Sequence, residues 1–169
     1  PDGHMVGMQI DITSDQGSWV YNHGFELHAP NMQLYSVLVD DGANNVLDPG
    51  ETADLLISLQ NNGSAAVYGS EFSISTTSSY LTINNATAAL GAVPGGAIST
   101  AIINVTASAN APVGTSVPLN WDLTCDYGYT ANGNASVTIS QIPVALEEHF
   151  DTFPPTDWTT TGGGNWQGG

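Results

Sequence analysis

The chain has 169 residues, 16 carboxylates and no Lys or Arg, giving a formal charge of −16 at pH 7. That balance argues against nucleic acid as a partner, because counterion-releasing phosphate contacts need Lys or Arg, and it disfavours anionic membrane surfaces. An apolar share of 41% is normal for a globular protein, the single cysteine permits no intrachain disulfide, and the apolar runs are too short to span a bilayer.

With no cationic partner except a protonated His, each carboxylate must be solvated, hydrogen-bonded to backbone N–H groups or bound to a cation. The missing bases fit either a solubility-selected acidic surface or resistance to proteases that cut after Lys or Arg. The sequence opens on Pro1 without a charged-then-apolar leader and closes on Gly168-Gly169, which reads as an excerpt or a processed fragment.

In chain order, residues 1–30 read as a β-hairpin. Val6, Met8, Ile10 and Ile12 alternate with polar or small residues, Ser14 to Ser18 supplies turn chemistry, and Trp19, Tyr21, Phe25 and Leu27 resume the apolar run. A lone hairpin is marginal in water, so this one is expected to add to a sheet of a preceding domain or of the domain that follows.

From Asn31 to Ile142 turn signals separate β-rich runs, and the pattern predicts strands over 32–39, 53–60, 66–76, 80–83, 97–107, 116–126 and 135–142. Short strands without a helical period indicate an all-β, immunoglobulin-like antiparallel β-sandwich of about seven strands, with extra β segments at both ends. Asn61 to Ser64 and Val93 to Gly96 read as hairpin-like connections. Val117, Leu119, Trp121, Leu123 and Cys125 share one face and therefore the core, while Pro118 places the start of that strand near a sheet edge or a bulge. Residues 143–169 read as a linker and the opening strand of a following domain.

Two stretches carry a resemblance. Ala29-Pro30, Val39-Asp40-Asp41, Leu47-Asp48-Pro49-Gly50-Glu51-Thr52-Ala53 and Leu59-Gln60-Asn61-Asn62-Gly63 together resemble the immunoglobulin-like domains that follow the catalytic domain of secreted gingipain-type cysteine peptidases and related surface proteins. Glu148-His149-Phe150-Asp151, Phe153-Pro154-Pro155-Thr156-Asp157-Trp158 and Asn165-Trp166 are similar to the opening of a cleaved-adhesin-like jelly-roll domain. The resemblance implies a secreted or cell-surface multidomain protein in which residues 31–142 are a non-catalytic spacer or docking module. Its partners are then neighbouring domains of the same polypeptide or copies of itself. The alternative is a structural subunit of an extracellular fibre or surface layer, assembled by exchange of the terminal strands.

The acidic stretch Asp40 to Glu51 is the candidate site. Laid on a twelve-position calcium loop it offers Asp40 first, Asn44 fifth, the Val46 carbonyl seventh, Asp48 ninth and Glu51 last. Gly42 stands where a third-position carboxylate is usual and Asn45 where a turn-making glycine is usual, so a calcium site here is weak or recruits Asp41. The competing reading is an Asp-Pro-Gly-Glu turn in which Asp48 and Glu51 accept backbone hydrogen bonds. Calcium is the cofactor candidate.

Sequons place possible glycans on Asn62, Asn85, Asn104 and Asn134, with Asn104 pointing outward from its strand and the others in turns. Cys125 is in phase with the core and reads as structural rather than nucleophilic. His4, His23, His28 and His149 lack zinc-type spacing. No nucleophile–base pair, phosphate loop or carboxylate dyad outside the acidic loop points to an enzyme.

Overall fold

The structure, a computed structural model, describes residues 2–141. It is all-β. The ten strands are β1 (His4–Ser14), β2 (Gly17–Leu27), β3 (Met32–Asp40), β4 (Thr52–Asn61), β5 (Val67–Ser75), β6 (Leu81–Ile83), β7 (Thr87–Val93), β8 (Ile98–Ala107), β9 (Thr115–Thr124) and β10 (Thr130–Ile139). The expected opening strand of a following domain lies outside the described residues.

Two antiparallel four-stranded sheets form the sandwich, one in the order β3-β4-β8-β6 and the other β10-β9-β5-β7. Without β7, this is the two-sheet order of an immunoglobulin-type sandwich, with four strands against three. Strict alternation drives the layering. In β4, Ala53, Leu55, Ile57 and Leu59 are buried, while the intervening Asp54, Leu56 and Ser58 face outward. The opposing layer supplies Phe72, Ile74, Val117, Leu119, Trp121 and Leu123. Phe72 and Trp121 stack with ring centroids 6.3 Å apart. Gly133 on β10 makes room for the indole, since a Cβ there would lie 2.8 Å from its ring.

Four expectations are corrected. The run over 87–93, rich in Ala and Gly and outside the expected strands, forms edge strand β7, bulged where Gly91 takes φ 70 against β5. The last strand is Thr130–Ile139 rather than 135–142. The segments at Asn61 to Ser64 and Val93 to Gly96 are not hairpins, because each carries the chain from one sheet to the other. Cys125 is half-buried at the end of β9, its thiol donating to the Ser70 hydroxyl at 3.4 Å, rather than enclosed in the core. Pro118 sits beyond the point where β5 stops pairing with β9 at Asn120, and its carbonyl accepts the Thr76 hydroxyl at 2.7 Å.

Among the described residues β1 and β2 pair with each other alone, as a separate two-stranded ribbon in register from His4↔Leu27 to Ser14↔Gly17. Cross-strand partners share a face, so Val6 with Phe25, Ile10 with Tyr21 and Ile12 with Trp19 make one face apolar. Gln9 with Asn22 and Thr13 with Ser18 lie on the other. The chain enters the sandwich at Met32, whose N–H donates to the Tyr129 hydroxyl at 2.8 Å in the β9–β10 connection. At the opposite pole Leu47 bridges Ile139, and Ser140 N–H donates to the Leu47 carbonyl at 3.0 Å.

Candidate functional site

The acidic loop connects β3 and β4, which pair from Met32↔Asn61 to Asp40↔Asp54. Leu47, fully buried, pins its middle into the core, so the flanking polar residues are held at the exit pole rather than left to wander. Within the loop the carboxylates turn to the backbone. Asp41 accepts from the N–H groups of Ala43 at 2.9 Å, Asn44 at 3.2 Å and Asn45 at 2.8 Å. The Ala43, Asn45 and Asn44 N–H groups hold the Asp41 carboxyl below its ordinary pKa. Asp40 accepts from Gly42 N–H at 3.2 Å, and Asn44 Oδ1 accepts from Val46 N–H at 2.8 Å. Asn45 takes φ 60, the left-handed conformation that Asn tolerates better than most side chains.

The Asp48-Pro49-Gly50-Glu51 turn closes twice. Glu51 N–H donates to the Asp48 carbonyl at 3.1 Å, and Glu51 Oε2 accepts from Asp48 N–H at 2.9 Å. Glu51 therefore makes the backbone hydrogen bond the turn reading assigns to it. Asp48 Oδ1, in contrast, is buried with no hydrogen-bond partner. Of the five candidate calcium ligands, Asp40, Asn44 and Glu51 already accept backbone N–H groups, and the Val46 carbonyl and Asp48 complete the set. Beside the loop a shallow polar cleft gathers Asp40, Asp41, Thr52, Asp54 and Asn104. Asn104 Nδ2 donates to Asp54 Oδ1 at 2.6 Å there. Among the described residues no group of three or more His, Cys, Asp and Glu side chains is arranged to hold a metal ion.

The sequon asparagines divide by environment. Asn62 Nδ2 donates to Gln33 Oε1 at 3.0 Å. Asn85 Oδ1 accepts the Asn104 backbone N–H and its Nδ2 donates to the Ile102 carbonyl, so this one carboxamide stitches the β6–β7 connection to β8. Asn104 points outward, as its phase requires. Asn134 is exposed on edge strand β10, not in a turn.

Two polar clusters escape the sequence reading. Asn61 is fully buried at the end of β4, and its carboxamide makes four hydrogen bonds. Oδ1 accepts from Asn31 N–H at 3.0 Å and Gly63 N–H at 3.1 Å, and Nδ2 donates to the carbonyls of Ala65 at 2.8 Å and Val93 at 3.1 Å. One side chain thus ties the entry strand to both sheet-crossing corners. A signal for it exists: Asn61 continues the inward phase of Leu55, Ile57 and Leu59.

The second cluster clamps the ribbon to the sandwich. Asp2 accepts from Ala29 N–H at 2.8 Å, Ser64 N–H at 3.0 Å and the Ser64 hydroxyl, while His28 Nδ1 meets Ser64 Oγ at 2.7 Å. The Ser64 hydroxyl, then the Ala29 N–H, hold the Asp2 carboxyl below its ordinary pKa. The serine stands between the carboxylate and the imidazole, whereas a nucleophilic triad places the imidazole between the other two. The arrangement joins segments 62 residues apart in sequence.

No protein-family model matches the chain, and no curated protein matches it. A solved structure titled "AvmM Catalyzes Macrocyclization in Alchivemycin A Biosynthesis" aligns at a TM-score of 0.37 and 12% identity, over 70% of this chain and 100% of that one. A likeness at that score carries no argument about this protein's activity.

Proposed function

We propose that residues 31–142 form a non-catalytic immunoglobulin-like spacer and docking module of a secreted or cell-surface multidomain protein, associated with peptidase or adhesin domains. The observation that supports it most is the separation of entry and exit. Met32 lies at the pole of the β4–β5 corner and Tyr129, and Ile139 lies at the pole of the acidic loop. The ten residues of β10 set these poles about 30 Å apart. A neighbour attached at either end is then held away from the other by a packed body with no charged side chain in its core. No helix among the described residues is long and apolar enough to cross a membrane.

The test is a pair of spin labels at Pro30 and Gln141 in a Cys125→Ser background. A narrow distance distribution near 30 Å supports a rigid spacer. A broad or much shorter one refutes it. A second reading, a fibre or surface-layer subunit assembled by strand exchange, is favoured by the ribbon, whose outer strand edges pair with nothing among the described residues. Long filaments in negative-stain images would select it.

Calcium belongs to the same reading as an accessory ligand of the loop, with Asp40, Asn44, the Val46 carbonyl, Asp48 and Glu51 as its oxygens. The partnerless Asp48 Oδ1 is the atom that gains most from a cation. A melting temperature unchanged between millimolar calcium and chelator would defeat this assignment, because a ligand of the native state alone must stabilise it.

A further inference from the structure

We infer that the β1–β2 ribbon is a dimerisation surface whose occupant is the same face of a second copy of this chain, packed face to face about a two-fold axis. Met8, Ile10, Ile12, Trp19, Tyr21 and Phe25, each between 40% and 57% exposed, line one face of the ribbon, with His23 among them opposite Met8 and stacked on Tyr21. Side chains of that size leave about 600 Å² of surface on that face, the upper end of what the largest patch of a monomer reaches. Nothing in the sandwich covers it. The ribbon is held at its base by Asp2, His28 and Ser64.

Area, charge and shape select the occupant. A stable interface needs about 800 Å² from each partner, most of which this face supplies alone, with Val6 and Leu27 extending it at the base. Its carboxylates point the other way: Asp11 pairs with Val20 and Glu26 with Met5, all on the opposite face. Two copies of a chain carrying −16 therefore meet on a face that holds no carboxylate. The ribbon is straight-registered over eleven residue pairs, so an antiparallel stack sets the Ile12–Trp19 row of one copy on the Val6–Phe25 row of the other. Two such layers pack about 10 Å apart, as in any sheet pair. An interface of this isologous kind closes at two copies. It is independent of the spacer reading, which concerns the sandwich alone.

Sedimentation velocity on the full chain tests it, with expected dimers at about 50 µM that dissociate on dilution. Ile10→Ser with Tyr21→Ser removes two central side chains and weakens association about 100-fold, while Asn22→Ser on the opposite face leaves it unchanged. To separate association from any loosening of the ribbon, a second measurement uses Cys125→Ser chains crosslinked by a short bis-maleimide. Met8→Cys, at the centre of the apolar face, gives covalent dimers, and Gln9→Cys, its neighbour on the other face, does not. A monomer throughout, equal crosslinking at both positions, or an open series of larger oligomers overturns the proposal, the last pointing to edge-wise strand exchange.

Discussion

Replacing Asn61 removes the one buried side chain that both accepts and donates across the entry pole. Asn61→Ala deletes four hydrogen bonds and leaves the Asn31 and Gly63 N–H groups and the Ala65 and Val93 carbonyls facing a void. Each bond contributes about 1 kcal/mol net, and a stranded buried partner adds to the loss, so the variant is expected to lose about 4 kcal/mol. That is a large part of the about 5–15 kcal/mol by which a domain is stable. In urea titrations followed by tryptophan fluorescence the midpoint should fall by about 2 M at an unchanged slope. Asn61→Asp separates the donors from the acceptors. It keeps both accepting contacts but sets a carboxylate against the Ala65 and Val93 carbonyls, so its folded-state pKa rises. Such a group destabilises most above its folded pKa and recovers stability as the pH falls toward its unfolded value, about 3.9. The neighbouring Asn62→Ala, on an exposed residue, should shift stability by less than about 0.5 kcal/mol. If Asn61→Ala loses under about 1 kcal/mol, or no more than Asn62→Ala, the carboxamide is not the tie described.

Leu47→Ala empties a fully buried position in the middle of the acidic loop and should lower stability by about 3 kcal/mol, measured by thermal unfolding. Gly63→Ala would place a Cβ 2.2 Å from the Ala29 carbonyl oxygen, so the β4–β5 corner must open. A loss of about 2–3 kcal/mol is expected, and a melting temperature equal to the parent's would contradict the close approach. Asp2 has a depressed folded-state pKa, so its contribution is present above the unfolded carboxylate value and fades as the pH falls through the lower folded one. The protection factor of the Ser64 amide, taken against its intrinsic exchange rate at each pH, should therefore fall in acid, and Asp2→Asn should show the lower protection already at neutral pH.

Much of this protein is written in its alternation. Period-two burial between Met32 and Ile139 specifies strands, and it specifies which side chains turn inward, because a pleated strand facing water on one side must segregate its residues. Asp40 to Glu51 is likewise legible as a loop joining paired strands, and Leu27 to Pro30 as the end of a hairpin. Alternation does not say which strand lies beside which. The two Gly-containing turns at Asn61 to Ser64 and Val93 to Gly96 have hairpin chemistry yet cross between sheets, and only the packing of the two layers decides that. β7 was hidden because an edge strand needs few large side chains. Its partner β5 supplies the ladder, and the bulges relax the pattern.

The polar ties depend on distance in space rather than in sequence. Asp2 finds Ser64, Asn61 finds Val93 and Leu47 finds Ile139 through tertiary contacts that no local window contains. The sequence alone determined most of the strands, their inward faces and the lack of Lys and Arg partners, since these follow from each residue's own chemistry and its immediate neighbours. The tertiary structure decided strand order, the ties at the two poles and the exposure of a whole apolar ribbon, because burial is a property of what the rest of the chain does or does not cover.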